Sequence, residues 1–395
     1  MNKVCSIFSQ VLQLFSRGEF EKAVKEHEAE RHARGFTSWG QFMAMLFCQL
    51  GRAHSLREIC GGLACCEGQM KHLGVPMAPK KSTLAYANEH RPWKLYQTVF
   101  EQTLGKCQEL VRGQGGGQKK FRFKNKLMSL DGSIIDLSVS MFDWAKFRRT
   151  KGAIKLHLLL DHDGYLPSFA VVTEGKTSEI KVARTLRFDP GTILAIDRGY
   201  VDYEWFRELT LQEVYFVTRM KEKAVYEVKE ELKTPQNSNV VSDQIVYFPR
   251  LAREGEEPVL FRRVEILDAE KQETIVFLSN LVAFGATTIA AVYKDRWQVE
   301  LFFKALKQTL KIKTFVGTSA NAVRTQVWTA LIAMLVLKYL QLKSKFSWSL
   351  SNLAALLRQQ LFFYRDLWVW LDDPFLAPPA LAGVHDDAQQ LAITW

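Results

Sequence analysis

The sequence predicts an α/β fold: a mixed sheet flanked by helices, with an all-helical region at the N-terminus. Three observations predict it. Over the first 108 residues apolar positions such as Val11, Leu12, Leu14 and Phe15 recur at helix spacing, with no strand-like alternation. From Lys126 three strand-length apolar runs follow one another across tight turns. After Ser178 helix-like and strand-like stretches alternate, and a meander followed by such alternation builds a mixed sheet with helices on it.

Within the helical region, Ser55 to Glu58 fit a capping box and Gly74 with Pro76 end the next segment. Ser82 or Thr83 is the expected cap of a third helix through Ala85, Tyr86 and Ala87. Three short helices with Lys80 and Lys81 at the start of the last suit helix-turn-helix DNA binding, and a plain packing or dimerisation role equally well. Residues 1–111 are therefore expected to be a helical N-terminal domain. Arg112 to Gln118, with four glycines in five positions, is the expected flexible linker, 112–118. On this division a chain starting at residue 119 keeps its catalytic core.

Residues 119–221 form the first part of that core. Its strands are expected at Leu127 to Leu137, Ile154 to Leu160, Ser168 to Thr173, Thr192 to Ile196 and Val214 to Thr218, with helices at Ser178 to Leu186 and Tyr203 to Leu209. Residues 222–286 read as a β-rich insertion, with runs at Ala224 to Val228, Gln244 to Phe248, Val259 to Ile266 and Thr274 to Leu278. Helix resumes near Thr287, giving a second part of the core at 287–340. A helical C-terminal region and tail, 341–395, is broken late by Pro374, Pro378 and Pro379.

The chain has 395 residues, is 47% hydrophobic and 24% charged, and carries a net charge of +11. Residues 119–155 hold ten Lys or Arg against three Asp, and residues 293–313 hold six against Asp295 and Glu300, which together supply the whole excess. Positive charge clustered in this way is the footprint of a polyanion partner. The run Val327 to Leu340 is interrupted and shorter than a membrane span, and the first 20 residues lack a secretory pattern, so a cytoplasmic protein with no membrane partner is expected. Six cysteines, none beyond Cys107 and no pair separated by two residues, argue against both a disulfide scaffold and a zinc site.

Placed on one helix from Tyr293 to Lys313, the residues Tyr293, Arg296, Glu300, Lys304, Lys307 and Lys311 fall within about 60° of Tyr293 at roughly 100° per residue. Val299, Leu301, Phe302, Phe303, Leu306 and Leu310 occupy the remaining surface, so the helix packs by its apolar side and presents one acid within a row of bases. A salt bridge from Glu300 to Lys304 or Lys307 explains the pairing but not the accompanying Tyr and Arg. Asp131 and Asp197 each close an apolar strand run, which places them at the rim of a sheet. With Glu300 they offer three hard oxygen donors, the ligand type Mg²⁺ takes, and two such ions can activate a nucleophile on a phosphodiester and stabilise its leaving oxygen.

The order Asp131, Asp197, Glu300, with Tyr293, Arg296, Glu300 and Lys307 at spacings of three, four and seven, resembles the DDE transposases of the insertion sequence 4 family. Leu130 to Ser133 and Asp197 to Tyr200 resemble that family's first and second aspartate motifs. The resemblance covers residues 119 to about 340 and implies a ribonuclease H-like core in which 222–286 is the family's insertion. It implies catalytic, metal-holding roles for Asp131, Asp197 and Glu300 with two Mg²⁺ ions, for which Mn²⁺ substitutes. It also implies hydrolysis at the ends of a mobile element followed by strand transfer to target DNA, through a hairpin in related members. The partner is double-stranded DNA, both terminal repeats and target, with a dimer expected on it. Tyr293, Arg296 and Lys307 would grip the DNA end, with Lys304 and Arg198 also facing DNA. Trp297 either stacks on an unpaired base or is an ordinary half-buried aromatic. The competing readings are a metal-dependent nuclease that does not rejoin, and a transposase-derived DNA-binding protein without catalysis.

Overall fold

The computed structural model describes residues 5–375, apart from 32, 34, 67–69, 114–119, 138–145, 149–150, 269–271 and 311–314. Most of the expected linker, and the tail beyond Phe375, therefore lie outside the described residues. So do the side chains of residues 146–151 in the first basic segment.

Among the described residues six helices come first: α1 (Ile7–Leu12), α2 (Arg17–Glu26), α3 (Ser38–Leu50), α4 (Leu56–Ala64), α5 (Lys81–His90) and α6 (Lys94–Gly113). Hydroxyl caps start the first four, Ser6, Ser16, Thr37 and Ser55 each accepting a backbone N–H from the first turn. At α4 the Glu58 carboxylate also accepts the His54 N–H at 2.7 Å. The expected cap at Ser82 or Thr83 is not used. α5 starts at Lys81 with no side-chain cap, and the burial of Leu84 and Ala87 against the helical core decides where it begins.

Ten strands make one sheet: β1 (Leu127–Leu137), β2 (Lys146–Arg148), β3 (Lys151–Asp161), β4 (Leu166–Glu174), β5 (Ile193–Ile196), β6 (Tyr215–Arg219), β7 (Glu227–Glu231), β8 (Val240–Tyr247), β9 (Phe261–Asp268) and β10 (Glu273–Ser279). The array β4-β3-β1-β5-β6 is antiparallel through the meander and parallel across β1, β5 and β6, which is the ribonuclease H-like arrangement. β10 pairs antiparallel with β6, so the strands of 222–286 lengthen this sheet and do not fold as a layer of their own. β7 lies about a turn later than the apolar run at Ala224 to Val228. It is the outermost strand, all five residues are exposed, and pairing with β8 sets its register in place of alternation.

Helices α7 (Glu179–Ala183) and α8 (Tyr203–Leu211) belong to the βα units. The remainder are α9 (Ala286–Asp295), α10 (Trp297–Thr309), α11 (Ala320–Lys343), α12 (Leu350–Gln360) and α13 (Leu367–Asp372). On β1 the side chains alternate as the pleat requires. Met128 and Leu130 pack with α8, whereas Leu127, Ile135 and Leu137 turn to the face that carries α9, α10 and the helical layer.

The first six helices do not close a core by themselves. Their apolar residues form one cluster with α10, α11, α12 and one face of β1, β3 and β4. Asn321 donates to the carbonyls of Asn88 and Arg91 at 2.8 and 2.7 Å, and Trp93 stacks on Trp328. The expectation that a chain starting at residue 119 keeps its core is therefore corrected, since such a chain would bare the apolar surface of α11. That helix is apolar on all sides because it is surrounded. By length and composition it passes for a membrane span, but 83% of its most apolar stretch is buried inside the protein.

Candidate active site

The parallel pairing of β1 with β5 runs from Leu127 opposite Ile193 to Leu130 opposite Ile196 and stops there. The next residue on each strand is Asp131 and Asp197, so the end of one short ladder sets two carboxylates side by side. Asp131 closes the apolar run Leu127 to Leu130 but lies within its strand, not at the strand's end. β1 continues to Leu137 on β3, and only the pairing with β5 ends. Asp197 does close β5 and leads into a single 3₁₀ turn, Arg198–Tyr200.

Glu300 arrives from α10, and Arg296 joins it to Asp131. The guanidinium lies 2.6 Å from Glu300 Oε1 and 3.7 Å from Asp131 Oδ2, with only 8% of the side chain exposed. Its Nε and Nη1 have no hydrogen-bond partner. Burial pushes the Asp131 carboxyl up to about 6, and the charges of Asp197 and Glu300 add to the rise, against the Gly132 N–H and Arg296, which lower it. Burial likewise raises the Tyr200 and Tyr293 hydroxyls. The cluster thus holds more negative charge than one arginine comfortably balances.

The helix expected from Tyr293 to Lys313 is two helices. It breaks at Arg296, where the Arg296 N–H donates to Tyr293 O and the Val299 N–H to Arg296 O, both spans of three residues. The tighter turn brings the side chains of Asp295 and Arg296 together into the protein, with 2% and 7% of each residue exposed. α10 ends at Thr309, and Lys311 and Lys313 lie outside the described residues.

The shared face survives only in part. Tyr293 is buried against Phe277 and Lys304 is exposed. Lys307 donates to Ile134 O at 2.9 Å, tying α10 to β1. Val299, Phe302, Phe303, Leu306 and Leu310 are buried as expected, but Leu301 is not. Trp297 is 56% exposed, which leaves part of its ring open to solvent. Arg198 is exposed near Glu222, beside a cleft that also takes in Arg219, Lys221 and Arg263. Asp131, Gly132, Ser133, Glu300, Lys304 and Lys307 border an open cavity of about 460 Å³.

Sequence reasoning overlooked His162, Asp295 and Arg219. The first two form a buried hydrogen-bonded row with Ser129, and the Arg219 guanidinium sits 5.5 Å from the Tyr293 ring. The Asp161 to Gly164 turn and the charge at Asp295 are visible in the sequence, but nothing in their spacing shows that they meet.

Comparison with known proteins identifies the family. Residues 128–336 match the family described as "Transposase DDE domain", and residues 4–76 match "Domain of unknown function (DUF4372)". A protein of Sinorhizobium fredii whose name, y4zB, is given among transposases is 31% identical over 74% of this chain and 80% of its own length. A Geobacillus stearothermophilus protein named for the transposase of insertion sequence element IS5377 is 28% identical over 70% of this chain and 72% of its own. The solved piggyBac transposase synaptic complex with hairpin DNA aligns over 96% of this chain and 87% of that one at 11% identity, with a TM-score of 0.45. A family match across more than half of the chain, with a relative above 30% identity along most of both lengths, means that this chain belongs to the DDE transposases of the insertion sequence 4 kind.

Proposed function

We propose that this chain binds the ends of its insertion sequence as double-stranded DNA, cleaves them with Asp131, Asp197 and Glu300, and transfers the freed strand to target DNA. The observation that carries the reading is the ladder that stops at Leu130 and Ile196, leaving two aspartates adjacent, with Glu300 held to the same spot through Arg296.

The donor set suits divalent cations, since three carboxylates are the hard oxygen ligands that Mg²⁺ or Mn²⁺ takes. Among the described residues no three such side chains are gathered closely enough to hold an ion as they stand, and Arg296 balances Asp131 and Glu300 instead. Two ions bound there would activate a water and stabilise the leaving oxygen of the phosphodiester. Lys304, exposed at the cavity mouth, draws the backbone in, and Arg198 extends the positive surface past Asp197. Trp297 presents a ring on which a displaced base can stack. Tyr293, Arg296 and Lys307 hold the strand near the cut after Arg296 and Lys307 leave their present partners and the buried Tyr293 ring is uncovered. Cutting two ends in concert favours a dimer on DNA. The names of the relatives, given for insertion sequence elements, support an element end as the substrate and the bacterial cytoplasm as the setting.

The test is to incubate the purified full-length chain with a duplex carrying its element's end and a supercoiled target, with Mg²⁺, Mn²⁺ or chelator. Cation-dependent nicks at the element boundary and joined products are expected. Nicks without joining would favour a nuclease, and tight end binding without nicks in either metal would favour a DNA-binding derivative.

A further inference from the structure

Two residues before Asp131, on the same face of β1, Ser129 begins a second polar cluster, buried except for the half-exposed side chain of Lys120 at its far end. Ser129 Oγ lies 2.7 Å from His162 Nε2, His162 Nδ1 lies 2.6 Å from Asp295 Oδ2, and Lys120 Nζ lies 2.6 Å from Asp295 Oδ1. Ser129 is fully buried, and the side chains of His162 and Asp295 are 6% and 1% exposed. A carboxylate only accepts, so His162 Nδ1 donates to Asp295, while Nε2 and the Ser129 hydroxyl share the second hydrogen bond. Burial works to raise the Asp295 carboxyl, but the hydrogen bonds from His162 and Lys120 outweigh it and keep it below the usual carboxylate range.

Serine, histidine and aspartate in this order are the groups of a hydrolytic triad. Here the hydroxyl sits inside a strand with no access to solvent, so no substrate reaches it as a nucleophile. What the row joins is more informative. Ser129 is on β1 two residues from Asp131. His162 follows β3, and its own N–H donates to Leu127 O at 3.0 Å, a second tie to β1. Asp295 is the last residue of α9, next to Arg296, which holds Glu300 and faces Asp131.

We propose that Ser129, His162 and Asp295 are positioning residues for the cleavage centre: the row fixes the helix break at Arg296 against β1, and so sets the separation of Asp131 and Glu300. This rests on the reading of that centre as metal-dependent. Groups that orient ligands from behind change metal affinity or rate by about 10- to 100-fold when altered.

The experiment uses the full chain with an element-end duplex. Asp295→Asn keeps the shape but presents an amide that cannot accept from both His162 and Lys120. At saturating DNA its nicking rate should fall about tenfold or more, and half-maximal rate should need correspondingly more Mg²⁺. Without DNA, the rise in Tm on adding Mg²⁺ should shift to higher concentration in step, while the Kd for the duplex stays within about twofold. Ser129→Ala removes only the last hydroxyl, keeps the fold should Asp295→Asn lose it, and should move the same readouts about three- to tenfold, the factor of one hydrogen bond. Wild-type rate and Mg²⁺ dependence in folded Asp295→Asn, or in Ser129→Ala, would overturn the inference while leaving the cleavage centre intact. A wild-type chain that neither nicks nor gains Tm with Mg²⁺ would remove the centre, and the inference with it.

Discussion

The two polar clusters on the shared face of β1 are made from the same kinds of groups and end in opposite states. Around Ser129 the bonded hydroxyl, ring and carboxylate all have partners at 2.6 to 2.7 Å, with Lys120 completing Asp295. Around Asp131 the half-open site holds three carboxylates, of which Asp131 and Glu300 share one guanidinium whose Nε and Nη1 make no hydrogen bond, and burial pushes the Asp131 carboxyl up to about 6. Buried polar groups in folded proteins are ordinarily satisfied, and a set left short marks a site that expects something from outside. The difference separates residues that hold the fold from residues that do chemistry, even where they are two positions apart on one strand.

The largest effect that would sharpen this contrast is on cutting. Asp131→Asn, Asp197→Asn and Glu300→Gln should each lower nicking by several orders of magnitude while end binding persists or strengthens, because a negative charge facing phosphates is gone. Near wild-type nicking by any one of them would remove that residue from the centre.

Next in size is a pH effect. The folded Asp131 carboxyl sits near 6 where the ordinary value is 3.8, so the folded state binds this proton more tightly than the unfolded chain. The associated stability is fully present below the unfolded value and is lost as pH rises through about 6. In metal-free buffer, wild type should therefore lose up to about 3 kcal/mol relative to Asp131→Asn between pH 4 and 7, and Mg²⁺ should restore it. Urea unfolding of both proteins across that range measures the difference, and a flat difference would contradict a strained Asp131.

Arg296→Ala strands two carboxylates and should destabilise the protein by about 1 to 3 kcal/mol. Lys304→Ala should leave Tm unchanged and lower the salt dependence of end binding by about one unit. Equal behaviour of the two would erase the distinction between buried and exposed bases on this helix. Smallest of all, Trp297→Ala should change stability by less than about 0.5 kcal/mol, because the ring is exposed, while weakening binding to an end with unpaired bases. Loss of stability there would mean that the ring packs.

Much of the core was legible because strand alternation survives wherever one face is buried. β1 was expected at Leu127 to Leu137 and is found there, and β3 to β6 fall within a few residues of expectation. Asp131, Asp197 and Glu300 stood out by their order and by the helix spacing around Glu300. The break at Arg296 did not, since it comes from Asp295 and Arg296 turning inward to partners far away in sequence. His162 looked like an ordinary turn residue for the same reason. The shared core of the N-terminal helices was hidden too, because an apolar helix in sequence does not say what surrounds it, and α11 reaches back across the whole sheet domain.

That reach governs how the protein is made. Cys107 of α6 meets the backbone of Leu335 of α11, 228 residues later, and Asn321 closes onto the end of α5. At about 5 to 20 residues per second of synthesis, the first six helices leave the ribosome roughly 10 to 50 s before the helix that completes their core. Until then they present apolar surface to chaperones and proteases. A message cut short before α11 therefore yields a chain with neither a finished helical layer nor a support for Glu300, so such a copy is unarmed.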